Sequence, residues 1–149
     1  MNAFSSSTQH HHNQAGWLIK LGALLALLAL LSPYLISGVV KLWYWQATLD
    51  EVSDLTGLTS DFAIKLLAAA TICLQLGASI WLLSALRGSW LAALALAGFT
   101  LAASLLAHNW WAMPGGPARS HSFASFWEHL ALIGALIQLS IWRYQSEQE

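Results

Sequence analysis

LGALLALLALLSPYLISGVV, residues 21–40, is the stretch that decides the fold. It carries no charge over about 20 positions, and a helix rising 1.5 Å per residue covers roughly 30 Å in that length, the thickness of a bilayer's hydrocarbon core. Lys20 ahead of an apolar core is also how a signal peptide begins. This core is too long for one, and no small-residue cleavage site follows it, so the segment reads as an anchored span. Pro33 sits inside it as a candidate kink. Pro33, Ser37 and Lys41 recur every four residues and share one helix face.

Three more stretches of similar length follow, at 66–86, 88–107 and 123–142. Lipid offers helices no hydrophobic reason to associate, so they pack through small residues and buried hydroxyls. Each stretch has a candidate stripe of this kind. The second has Thr71, Gln75 and Ser79, with Ala68 and Ala78 nearby, and the third has Ala93, Ala97, Thr100, Ser104 and His108. The fourth has Ala124, Glu128, Ala131, Ala135 and Gln138. The expected fold is therefore all-α: a membrane four-helix bundle of four transmembrane helices.

The connections support that count. Leu42, Trp45, Leu49, Val52 and Leu55 are spaced as one face of a short amphipathic helix after the first span. Gly57 should end that helix, and Thr59, Ser60 and Asp61 are candidate N-caps for the next. Arg87-Gly88-Ser89 reads as a tight turn, and Pro114-Gly115-Gly116-Pro117 as a loop. The domain plan is a disordered polar tail over 1–16, the four-helix domain over 17–143, and a polar C-terminal tail over 144–149. His10, His11 and His12 are a His run on that first tail, native or a vector remnant.

Composition agrees. Hydrophobic residues make up 57% of the chain and charged residues only 9%, against about 25% charged in soluble domains. Six scattered Lys and Arg with a net charge of −1 form no basic stripe, so nucleic acid is not an expected partner. The expected partner is the lipid bilayer. The single cysteine, Cys73, rules out a disulfide within the chain and reads as packing. Positive charges tie between the two membrane sides. With an even number of spans both termini lie together, and the leaning is cytoplasmic, in a multi-pass protein of the cell (inner) membrane.

Counting the reversals brings Lys41, Lys65, His108, Glu128 and His129 to one membrane face, ringed by Trp43, Trp45, Trp110, Trp111 and Trp127. An ionisable group set into the membrane is costly enough to need a partner or a purpose. The candidate catalytic residues are His108, Glu128 and His129. Lys41, Gln75, Trp111 and Trp127 are the candidate ligand-binding or polar-network residues. A His and a carboxylate at the hydrocarbon edge suit proton exchange between water and a lipophilic carrier, and an apolar slot with aromatic walls and a few hydrogen-bonding groups suits a quinone. Haem held by His108 and His129 has no other support in the sequence, and no metal is expected. For each of these residues the plain alternative is a hydrogen-bonded lid that closes the bundle, with Lys41 neutralising Glu128.

With those residues placed, the chain resembles the DoxX family of small four-helix integral membrane proteins (DoxX/DoxD-like) over about residues 34–142. The resemblance rests on SGVVKLWYW at the end of span one, LQLGASIWLL in span two, AHNWW at the end of span three and FWEHLALIGAL in span four. Many relatives carry Glu where this chain has Gln75. The resemblance implies a bacterial membrane protein, with some relatives similar to the membrane subunit of a thiosulfate:quinone oxidoreductase and others working beside redox partner proteins. The function expected is thus a membrane component or accessory subunit of a quinone-linked redox system. The alternative is a non-enzymatic membrane adaptor or small-solute handler whose polar end is structural. No nucleophile elbow, cofactor fingerprint or cysteine pair marks a self-sufficient enzyme, and a homo-oligomer is open.

Overall fold

The computed structural model describes the backbone from Phe4 and the side chains from Gly16 to the C-terminus. The described residues are all-α, with no strand among them. Five helices follow in order: α1 (Phe4–Trp43), α2 (Trp45–Thr56), α3 (Asp61–Ser84), α4 (Ser89–Ala107) and α5 (Pro117–Gln148), with one 3₁₀ turn at Trp110–Ala112. Four segments are long and apolar enough to cross a membrane: Gly16–Trp43, Asp61–Ser84, Ser89–Ala112 and Pro117–Gln148. The expected membrane bundle, with a short amphipathic helix after its first span, is the observed fold. The α1 backbone begins inside the segment expected to be a polar tail. The His10–His12 side chains lie outside the described residues.

The chain divides into two compact units, Met1–Ser32 and Pro33–Glu149, and the functional architecture described below belongs to the second. Its helices are joined by polar clasps as well as by apolar packing. Tyr34 of α1 hydrogen-bonds Thr100 of α4. Gln75 of α3 donates from Nε2 to Ser37 Oγ of α1, at 3.3 Å. Ser140 of α5 donates to the Trp90 carbonyl of α4, and Arg143 of α5 to the Leu82 carbonyl that ends α3. In hydrocarbon such bonds replace the hydrophobic drive that helices lack there. Gly38 marks a close approach of α1 and α3, since a Cβ at that position would lie 2.7 Å from the Leu76 side chain.

Tyr44 leaves helical geometry (φ −103°, ψ 55°) and separates α1 from α2. The interruption frees backbone carbonyls that need donors, and the Thr48 hydroxyl lies 3.0 Å from the Lys41 carbonyl and 3.2 Å from that of Tyr44. The amphipathic helix α2 then lays Leu49 and Val52 against Ala68 of α3, with Trp45 and Ile64 alongside. Leu42 and Leu55, expected on the same stripe, stay exposed. Gly57 ends α2 in the left-handed region at φ 67°, as its position suggests. Ser60 takes the N-cap position of α3 without a side-chain cap bond, while Asp61 pairs with Lys65 one turn on, at 2.7 Å.

The stripes of α3 and α4 face inward as read. Ala68, Gln75, Ala78 and Ser79 are buried on α3, and Ala93, Ala97, Thr100 and Ser104 on α4. Cys73, on α3 between Ala68 and Gln75 in sequence, is exposed rather than packed. The stripe read for the fourth span is on the wrong face. Ala124, Glu128, Ala131, Ala135 and Gln138 are all exposed, whereas Ser122, Ile133, Leu136 and Ser140 are buried. In a bilayer both faces of a helix are apolar, so small size was the only cue, and here it marks the outer face. The inward face continues past 143. Tyr144 packs edge-on against Trp90, and Glu147 accepts the Gly88 backbone N–H at 2.8 Å. The residues read as a C-terminal tail are thus the last turn of α5 up to Gln148, held against the α3–α4 turn.

Candidate functional site

Helices α1, α3, α4 and α5 leave a cavity of about 610 Å³ between them, with α2 across one end. That volume lies in the range of small-molecule sites, about 300–1,000 Å³. Its walls are mainly apolar, with Pro33, Leu67, Phe99, Ala103, Leu106 and Leu132 among them, and its polar groups fall in two tiers. At the end where α1 and α4 finish stand Lys41, Glu51, His108 and His129. About two turns deeper, roughly 12 Å down the helix axis from His108, stand Tyr34 and Thr100, and Ser37, Thr71 and Gln75 are on the walls between these two levels.

The upper tier holds two rings and an ion pair. His108 and His129 have ring centroids 4.9 Å apart with planes tilted by 59°. His108 is placed where α4 ends, and its N–H still reaches the Ser104 carbonyl. Lys41 pairs with Glu51 of α2, not with Glu128. That ion pair spans the α1–α2 break and ties α2 to the rim.

Hydrogen positions in this site follow from which atoms have a proton to give. The Ser104 hydroxyl lies 2.6 Å from the Thr100 carbonyl, and only the hydroxyl hydrogen can hold two oxygens that close. His129 Nδ1, 2.8 Å from the same Ser104 oxygen, must therefore be the N–H that donates to it. In the neutral ring Nε2 is then the acceptor. Likewise Thr100 gives its hydrogen to the Leu96 carbonyl at 2.7 Å, so Tyr34 donates to Thr100. Gln75 is 4% exposed, and its Oε1 has no partner.

Four of the seven residues singled out from the sequence come together here: Lys41, Gln75, His108 and His129. Glu128 does not join them. It is exposed on α5, while His129, one residue on, is half-buried. Trp111 and Trp127 are also outside the cavity, half exposed, in an edge-to-face aromatic cluster with Trp110, Phe123 and Phe126. Among the polar cavity residues, sequence reasoning did not single out Tyr34 and Glu51. Ser37, Thr71 and Thr100 were visible only as members of helix stripes. Tyr34 lies beside the Pro33–Ser37–Lys41 face, which was the available signal. Glu51 carried none, because its place depends on the break at Tyr44.

Among the described residues no group of three His, Cys, Asp or Glu side chains is placed to hold a metal ion. Haem between the two histidines does not fit this arrangement either. Ligand bonds of roughly 2 Å on each side of an iron, plus the two ring radii, exceed the 4.9 Å between centroids. What the arrangement can do is hold a lipophilic molecule by its apolar surface and orient it by a few hydrogen bonds. No family model, no curated protein and no solved structure matches the chain.

Proposed function

We propose that this protein is a membrane-embedded binding subunit for a lipophilic redox carrier of the quinone class, acting with a redox partner protein in a bacterial cytoplasmic membrane. The observation that carries the reading is the cavity. It lies within membrane-spanning helices, its walls are mostly apolar, and its rim presents a histidine pair beside the Lys41–Glu51 ion pair. A quinone ring needs that combination of apolar slot and sparse hydrogen-bonding groups. Histidines at the rim give the bound ring hydrogen-bonding groups at the end of the cavity. The resemblance to the DoxX family fits the same reading, and the even number of spans is consistent with both termini on the cytoplasmic side.

A non-enzymatic adaptor is the second reading. It is favoured by the pairing of Lys41 with Glu51 and of His129 with Ser104, which leaves those groups satisfied without a ligand. The two readings separate in one titration. Decylubiquinone added to the purified full chain in mild detergent should quench tryptophan fluorescence saturably. Ala103→Phe, which fills the cavity, should abolish the effect, and Glu128→Gln, on the outer face, should leave it intact. Absence of saturable quenching, or equal quenching in Ala103→Phe, would rule out the quinone reading and leave the adaptor.

A further inference from the structure

We infer that the cavity selects the reduced, hydroxyl-bearing form of its ring ligand over the oxidised form, with Gln75 Oε1 as the selecting acceptor. The inference rests on the ligand class proposed above and concerns which hydrogen-bonding groups that ligand must offer.

Two cavity groups keep an acceptor that no protein donor occupies, Gln75 through Oε1 and the neutral His129 ring through Nε2. Gln75 gives one of its two amide N–H groups to Ser37 and is left with Oε1 buried and unpartnered. A buried acceptor without a donor costs about 1–3 kcal/mol, and native structures keep few of them. His129 spends Nδ1–H on Ser104, whose own hydrogen is committed to the Thr100 carbonyl. Its Nε2 lone pair is what remains. Tyr34 has likewise given its hydrogen to Thr100.

The two acceptors also lie at similar depth. Tyr34 and Thr100 are bonded to each other and define one level. Ser37, which holds Gln75, is three residues from Tyr34, roughly 4.5 Å along the axis. Ser104, which holds His129, is four residues from Thr100 in the same direction, roughly 6 Å. Gln75 on α3 and His129 on α5 therefore differ in level by only about 2 Å, on separate walls of the cavity. A ring lying across it can give one hydroxyl to each. A quinone offers only carbonyl oxygens and leaves Gln75 Oε1 without a donor.

The test compares three probes with the same apolar body on the full chain in mild detergent: decylubiquinone, its quinol kept anaerobic with dithionite, and the dimethyl ether of that quinol. The ether cannot donate, so it separates hydrogen bonding from redox state. One net neutral hydrogen bond corresponds to about fivefold in affinity. The quinol should bind at least about fivefold more tightly than either of the others, and Gln75→Leu should erase that advantage while changing the quinone's affinity by less than about twofold. Quinone or ether binding as tightly as quinol in the wild-type chain would overturn the inference and leave the binding site standing. So would a Gln75→Leu variant that weakens all three alike. Failure of all three to bind would remove the site itself, and the inference with it. The wild-type comparison decides the matter even if Gln75→Leu does not fold.

Discussion

Replacing Gly38 by alanine should loosen the α1–α3 contact beside the cavity. The added Cβ would lie 2.7 Å from both Leu76 Cγ and Cδ2, and 3.5 Å from Gln75 Cβ. Carbon atoms in favourable contact stand about 3.5–4.0 Å apart, so Leu76 or the helix must retreat by roughly 0.8 Å. Overpacking on this scale costs about 1–3 kcal/mol. For a chain of this size each kcal/mol moves the midpoint by roughly 2–4 °C, which gives a loss of about 2–12 °C. Thermal unfolding in detergent, followed by tryptophan fluorescence, reads the change. Leu76→Ala removes the obstacle, so Gly38→Ala made in that background should cost little, and the cycle should show about 1–3 kcal/mol of coupling. An undiminished penalty in the Leu76→Ala background, or no penalty in the wild type, would refute the claim of close approach.

Other consequences are equally specific. Glu147→Ala removes the acceptor of the Gly88 N–H and should cost about 1–3 kcal/mol, while Glu147→Gln keeps an acceptor and most of the stability; equal losses in thermal unfolding would count against the C-terminal clasp. Histidine ¹⁵N spectra should show neutral His129 protonated at Nδ1, and Ser104→Ala should release it to a tautomer mixture; an Nε2-protonated ring in the wild type would contradict the donor assignment. Cys73, exposed on the outer face of a membrane-spanning helix, should resist a charged thiosulfonate from either side of intact vesicles and react after the chain is denatured. Rapid labelling in intact vesicles would place that face in water.

The membrane character and the helix order were legible because they depend on run length and on punctuation at Gly57, Gly88 and Pro117. The inward faces of α3 and α4 were legible too, since Gln75, Ser79, Thr100 and Ser104 are polar groups that are costly to turn towards lipid. On α5 the same rule pointed outward. Its inner face is largely bulky, with Ile133 and Leu136 buried, and Ala131 and Ala135 on the other side looked more like a packing surface. Glu128 went with them, which removed a carboxylate from the expected site. Its place at the rim is taken by Glu51, whose approach to Lys41 requires the chain to break at Tyr44 and fold α2 back. Nothing in the local pattern around Tyr44 announces that break. The Tyr34–Thr100 bond joins residues far apart in sequence, and a stripe on one helix does not say which stripe it meets.

The account stands or falls on whether a lipophilic ring enters this cavity. The direct measurement is photolabelling of the full chain in native membranes with an azido-substituted quinone, followed by mapping of the modified peptides by mass spectrometry. Labels should fall on cavity walls, around Tyr34 to Lys41, Thr71 to Gln75 and Phe99 to His108, and should disappear with excess decylubiquinone. Labels spread over outer-face residues such as Ile80, Leu94 and Ile141, undiminished by that competitor, would mean the ring meets only the lipid-facing surface.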